Sequence, residues 1–219
     1  MVDTDFNELS IHRVTETDFD DVKKFLLADF LYNEPLNRSV NLNAEDSDEL
    51  FSDLTNRGIA SSLSYVLRAP DGEIAALRLA TILDRPEEEH QSQHGEVPIN
   101  AASDNNNMTV TKAKVYCPRA QIIEDILMEL ESKALHKNYT RRGFALKMLC
   151  YKLDEAIQMG CQGCIAEASS FKSQLLFKKI GYEKIYEVKH SNWLDDRGQQ
   201  IFKCDDSTDS VQLFFKPLQ

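Results

Sequence analysis

The stretch Asn138-Tyr139-Thr140-Arg141-Arg142-Gly143-Phe144-Ala145 runs straight into an apolar pattern of helical period from Leu146 to Met159, ending at Gly160. A turn of this kind leaves backbone amides free at a helix start, with the positive end of the helix dipole behind them, and so builds an anion site without a metal. Gly143 lets the backbone approach a phosphate closely, and Arg141 and Arg142 add positive charge. Leu146, Leu149, Leu153 and Ile157 line one face of the helix, and Gly160 is a natural C-cap.

Upstream, Ser10 to Val14 reads as a first strand. Thr15 or Thr17 then caps a helix that buries Phe19, Val22, Phe25, Leu26 and Phe30. Pro35 ends this helix, because it excludes helical geometry from the residue before it. Asp46 to Leu54 is a second helical segment. Leu63 to Arg68 and Glu73 to Leu83 flank Pro70-Asp71-Gly72, whose Asp-Gly pair signals an antiparallel hairpin. Arg85 to Thr111 is polar and reads as a long loop with no assigned chemistry. Pro118 opens a helix with the stripe Ile122, Ile123, Ile126, Leu127, Leu130 and Ala134. Cys164 to Ala166 enters a strand, Ser170 to Lys179 is helical, and Tyr182 to Val188 and Val211 to Phe215 read as closing strands. The order describes an α/β layered fold, a mixed sheet flanked by helices, in a single domain spanning residues 1–219 with its core at about 10–218.

The chain has 219 residues, 42% of them hydrophobic, which is enough for one well-buried core. A formal charge of -11 argues against nucleic acid and anionic membrane as partners, whereas a cationic amine would be tolerated. An acidic start and the lack of a long apolar run predict a soluble, cytoplasmic protein, and a monomer is expected. The 5 cysteines are odd in number and scattered, which favours reduced thiols. Cys161-Gln162-Gly163-Cys164 has redox spacing but follows a helix end instead of starting one, and it lacks two further zinc ligands, so packing is its expected role. His90 and His94 lie in the polar loop with no second ligand cluster, and no metal site is expected. The sequon at Asn107-Met108-Thr109 carries little weight without a secretion signal.

Residues 138–145 resemble the acetyl-CoA loop of the GNAT acetyltransferase superfamily, whose pattern is Gln or Arg, two residues, Gly, one residue, then Gly or Ala. Gly143 and Ala145 match, and Thr140 stands where Gln or Arg is usual. Asn33-Glu34-Pro35-Leu36-Asn37 and Ala168-Ser169-Ser170-Phe171-Lys172-Ser173 are similar to the corresponding stretches of the invertebrate arylalkylamine N-acetyltransferases. The resemblance runs from about Ile11 to Leu218. It implies acetyl-CoA as cosubstrate, a small arylalkylamine as acceptor, and cofactor contacts at Leu135, His136, Thr140, Arg141, Arg142, Gly143, Phe144 and Ala145. Helical spacing through Leu130 leaves only Ala134 to Lys137 for the strand before the loop, about 13 Å, so this strand is expected to be cut short.

Acetyl transfer to an amine poses two proton problems, because the acceptor arrives as an ammonium and coenzyme A leaves as a thiolate. With an amine pKa of about 10, roughly one molecule in a thousand is nucleophilic at pH 7. A positioned base recovers up to about 4 kcal/mol of that barrier. Glu34 is the candidate base: the backbone broken at Pro35 would direct it inward, and the resemblance places the catalytic Glu there, against the alternative of a solvated loop carboxylate. The resemblance also assigns Ser169 and Ser173 to proton handling near the thiolate. Ser169 or Ser170 could instead cap the following helix, the commoner use of serine at such a place. The rival to an enzyme is a non-catalytic acyl-CoA-binding or interaction protein that keeps the fold.

Overall fold

The computed structural model describes residues 8–82, 118–127 and 144–218, with the side chains of 123–127 and of Phe144 left out of the description. Strand β1 (Ser10–Arg13) is followed by a single 3-10 turn that Thr15 caps, its N–H donating to the Asp18 carboxylate at 2.9 Å. Helix α1 (Phe19–Phe25) continues through a π-helical stretch, Leu26–Phe30, into a last turn, α2 (Leu31–Asn33). At Glu34 the backbone swings out to an extended conformation, φ -83° and ψ 123°, and Pro35 starts α3 (Pro35–Ser39) as its first residue. The expected break therefore occurs, and its cause is the clash of the proline ring with a helical predecessor.

Helix α4 (Ala44–Ala60) is longer than the expected segment at both ends, and Asn43 caps its start by accepting the Asp46 N–H at 2.9 Å. Strands β2 (Tyr65–Arg68) and β3 (Ile74–Arg78) form the antiparallel hairpin, with Gly72 at φ +86° in its turn. With β1 they make a sheet ordered β1-β2-β3. Helix α5 (Pro118–Leu127) follows as expected. The length of that helix beyond Leu127, the strand before residue 138 and the polar loop all lie outside the described residues.

The run from Leu146 to Met159 is two helices where one was expected, α6 (Phe144–Cys150) and α7 (Leu153–Gln158), separated at Tyr151 and Lys152, where Lys152 sits at φ +50°. The buried Arg78 guanidinium fills this break, donating to the carbonyls of Met148 at 2.8 Å and Tyr151 at 2.9 Å. Gly160, at φ +87°, provides the C-terminal cap. Strand β4 (Gly163–Ala168), helix α8 (Phe171–Lys179), β5 (Glu183–Lys189) and β6 (Ser210–Pro217) complete the chain. They form a second antiparallel sheet, β4-β6-β5, with Ile165 opposite Phe215 and Lys189 opposite Ser210.

Two apolar clusters position the site. In one, Leu26, Leu31, Leu36, Leu50 and Phe51 pack with Phe202 and Val211 from the C-terminal part of the chain. In the other, Ala166, Ala168 and Phe214 of the second sheet pack against Phe177 of α8. Among the described residues no helix is long and apolar enough to cross a membrane.

Candidate active site

Glu34 is the N-cap of α3, and its Oε2 accepts the Asn37 N–H at 3.0 Å. A carboxylate in this position meets the positive end of a short helix, yet it is only 6% exposed, and its Oε1 is buried with no hydrogen-bond partner. Burial dominates, pushing the carboxyl from its ordinary 4.5 up to about 7. The strongest opposing influence is the Ser169 hydroxyl, followed by the amides of Asn37 and Leu36 and the charge of Arg38. Ser169 thus faces the carboxyl without closing a hydrogen bond of ordinary length on Oε1. Two residues distant in sequence, Glu34 and Ser169, are brought together.

Ser169 and Ser170 divide the two roles open to them. Ser170 caps α8, accepting the Ser173 N–H at 3.2 Å, and Ser173 closes a reciprocal capping box by accepting the Ser170 N–H at 3.2 Å. The Ser173 hydroxyl also donates to the Ser170 carbonyl at 2.8 Å, so it is engaged with the helix start. Ser169 precedes the cap and is left to face Glu34.

Four further residues surround Glu34, and sequence reasoning missed all of them. Arg38 lies one turn along α3 and grips Asp205 with two guanidinium nitrogens, Nε donating to Oδ2 at 2.9 Å and Nη2 to Oδ1, while its Nη1 donates to the Tyr32 carbonyl at 3.1 Å. Asp206 accepts the Phe171 N–H at 3.1 Å, the first amide of α8. Cys204 is half-buried near Glu34, and burial with the neighbouring carboxylates pushes its thiol up to about 12, which removes it as a nucleophile at neutral pH. The i, i+4 spacing of Glu34 and Arg38 was readable in the sequence, but the partners of Arg38 lie far along the chain.

Of the expected cofactor residues, Leu135, His136, Thr140, Arg141, Arg142 and Gly143 lie outside the described residues. Helix α6 is described from Phe144 onward, and Ala145 is half-buried on it. An apolar cavity of about 60 Å³ lies between Leu63, Arg78, Leu149, Ala156, Cys164 and Tyr182. Neither Glu34 nor Ser169 lines it, and it has room for no more than a few waters.

No family model matches the chain, and no curated protein sequence matches it. Solved structures do match. Arylalkylamine N-acetyltransferase 2 from Aedes aegypti superposes with a TM-score of 0.76 at 19% identity, over 97% of this chain and 100% of that one. The polyamine N-acetyltransferase of Drosophila melanogaster, which forms N-acetylagmatine, superposes with a TM-score of 0.66 at 16% identity, over 96% and 100%. The Escherichia coli ribosomal-protein-S18-alanine N-acetyltransferase is similar at a TM-score of 0.53 and 12% identity, over 96% and 94%. At such identities the likeness is one of fold, and the chain has the mixed α/β fold of the GNAT N-acetyltransferases.

Proposed function

We propose that this chain is an acetyl-CoA-dependent N-acetyltransferase that acetylates the primary amine of a small arylalkylamine by direct attack in a ternary complex. The observation that carries this reading is the buried Glu34 carboxyl, with Oε1 unpartnered, a pKa pushed up to about 7 and Ser169 beside it. A base poised near the working pH gives the best product of ionised fraction and proton-accepting strength. Glu34 takes a proton from the substrate ammonium, the freed amine attacks the thioester carbon, the C–N bond forms and the C–S bond breaks. A hydroxyl at Ser169 is suited to steady the departing thiolate or pass it a proton, with Ser173 holding the turn that presents it. Residues 135–145 would hold the cosubstrate, Arg141 and Arg142 facing its pyrophosphate. An acyl-enzyme intermediate is unnecessary, since Cys204, the thiol beside this carboxyl, is held neutral.

Thiol release from acetyl-CoA with a panel of amines tests the reading. Turnover should be greatest with arylalkylamines, and preference for polyamines would move the acceptor class while keeping the chemistry. Acetyl-CoA binding without turnover on any amine would identify a non-catalytic acyl-CoA-binding protein instead.

A further inference from the structure

Glu34 and Ser169 belong to different elements, and nothing covalent within 130 residues fixes their separation. Among the described residues, the loop between Phe202 and Ser210 touches both elements. Phe202 is fully buried among Leu31, Leu36 and Leu50, and Ser210 opens β6, so the loop is anchored at each end. Its two consecutive aspartates then face different helices. Asp205 holds Arg38 of α3, the helix that Glu34 caps, through Nε at 2.9 Å and through Nη2. Asp206 holds the Phe171 amide of α8 at 3.1 Å, two residues beyond Ser169, and its other oxygen accepts the Thr208 N–H at 3.1 Å, which fixes the turn.

We propose that the Asp205-Asp206 pair is a positioning device that sets the distance between the Glu34 carboxyl and the Ser169 hydroxyl. Both aspartates act through other groups, Asp205 through Arg38 and Asp206 through the first turn of α8. The inference rests on the catalytic reading of Glu34 and Ser169 for its consequence in turnover, but the distance itself is independent of that reading. Among the described residues, the charged and titratable groups around Glu34 are Arg38 from its own helix and Cys204, Asp205 and Asp206 from the loop, the Cys204 thiol being held neutral at physiological pH.

The two accounts of Asp206 predict opposite signs. Were it only a nearby negative charge, its removal would favour the ionised carboxylate and lower the Glu34 pKa. As a positioning residue, its removal lets Ser169 withdraw, and the strongest stabiliser of the carboxylate is lost. The test is a titration by NMR of the full chain carrying 13C-labelled glutamate carboxyls, with the Glu34 signal assigned from Glu34→Gln. Asp206→Ala should raise the Glu34 pKa by roughly half a unit or more, as Ser169→Ala should. Asp206→Asn, which keeps an acceptor of the same shape, should restore most of the wild-type value. The double variant Ser169→Ala, Asp206→Ala should shift no further than Ser169→Ala alone, because both changes remove one interaction. A fall or no change in Asp206→Ala, or shifts that add in the double variant, would overturn the proposal. Since this readout needs no turnover, a wild-type protein inactive on every amine would defeat the catalytic reading while leaving the positioning result standing.

Discussion

Glu34 and Glu187 are the same residue in opposite circumstances. Glu187 lies on β5 with partners on every side: its Oε1 accepts the Ser210 hydroxyl at 2.7 Å and the Gln212 amide at 3.0 Å, and its Oε2 pairs with Lys184 at 3.1 Å. These donors, led by Ser210, pull its carboxyl down to about 2. Glu34 has one ordinary hydrogen bond, one unpartnered oxygen and little surface in water, and its carboxyl rises to about 7. The difference teaches that burial set against the supply of donors decides whether a carboxylate is structural or available. A fully satisfied carboxylate is a poor base, whereas one left short of donors in a dry place will accept a proton at neutral pH.

The largest effect that could break this contrast is on turnover. Glu34→Gln keeps the shape and the Asn37 contact but removes the base, so kcat at neutral pH should fall by about 10²–10⁴ with little change in acetyl-CoA affinity. The wild-type profile of kcat/KM should rise with pH through a limb near 7, and the variant should lack it. An unchanged profile would leave Glu34 without a catalytic role.

Stability provides the second test. A carboxyl raised from 4.5 to about 7 gives stability that is fully present below its unfolded value and is lost as pH rises through its folded value. The wild type should therefore weaken relative to Glu34→Gln between pH 5 and pH 8, by up to about 3 kcal/mol. Parallel denaturant melts of the two proteins across this range measure it. Equal pH dependence in both would mean that the carboxyl titrates at an ordinary value and is not desolvated.

Much of this site was legible in the sequence, and the illegible part has a physical reason. Pro35 dictates the kink that turns Glu34 inward, and a serine cap was expected at the start of α8, where Ser169 and Ser170 were both candidates and Ser170 is the one that caps. The strand positions and the Asp-Gly hairpin followed from alternation and turn chemistry. The break at Tyr151 and Lys152 did not, because the apolar face of Leu146 to Ile157 keeps helical period across it, and what stabilises the break is Arg78, some 70 residues earlier. Asp205 and Asp206 carry no signal of their role in the sequence. Their partners Arg38 and Phe171 are tertiary, and spacing carries no trace of them.

The cofactor loop is the complementary case, read from sequence with residues 138–143 lying outside the described residues. Gly143→Asp would place a side chain and a negative charge where a pyrophosphate should sit. Acetyl-CoA affinity measured by calorimetry should drop about tenfold to a hundredfold while the fold survives, and unchanged affinity would move the cofactor elsewhere. Ser170→Ala sharpens the division between neighbouring serines: loss of the cap should cost about 1 kcal/mol of stability, whereas Ser169→Ala should cost little stability and act on turnover. A reversal of those two outcomes would exchange the roles assigned to them.

The smallest effect is at Glu187, and its sign is the useful part. A carboxyl lowered to about 2 contributes stability that is present above its unfolded value and lost as pH falls through its folded one, the mirror of Glu34. The side chain keeps 23% of its surface in water, so solvent screening reduces the contribution to about 1 kcal/mol or less. Glu187→Gln should then lie about that far below wild type in stability at pH 7, and the gap should close as pH is lowered toward 2. High salt should narrow the gap at pH 7 too, though not abolish it, because two of the donors, Ser210 and Gln212, are neutral. A gap that instead widened on acidification would mean that Glu187 is short of donors as Glu34 is, and the distinction between a satisfied and an available carboxylate would not hold in this protein.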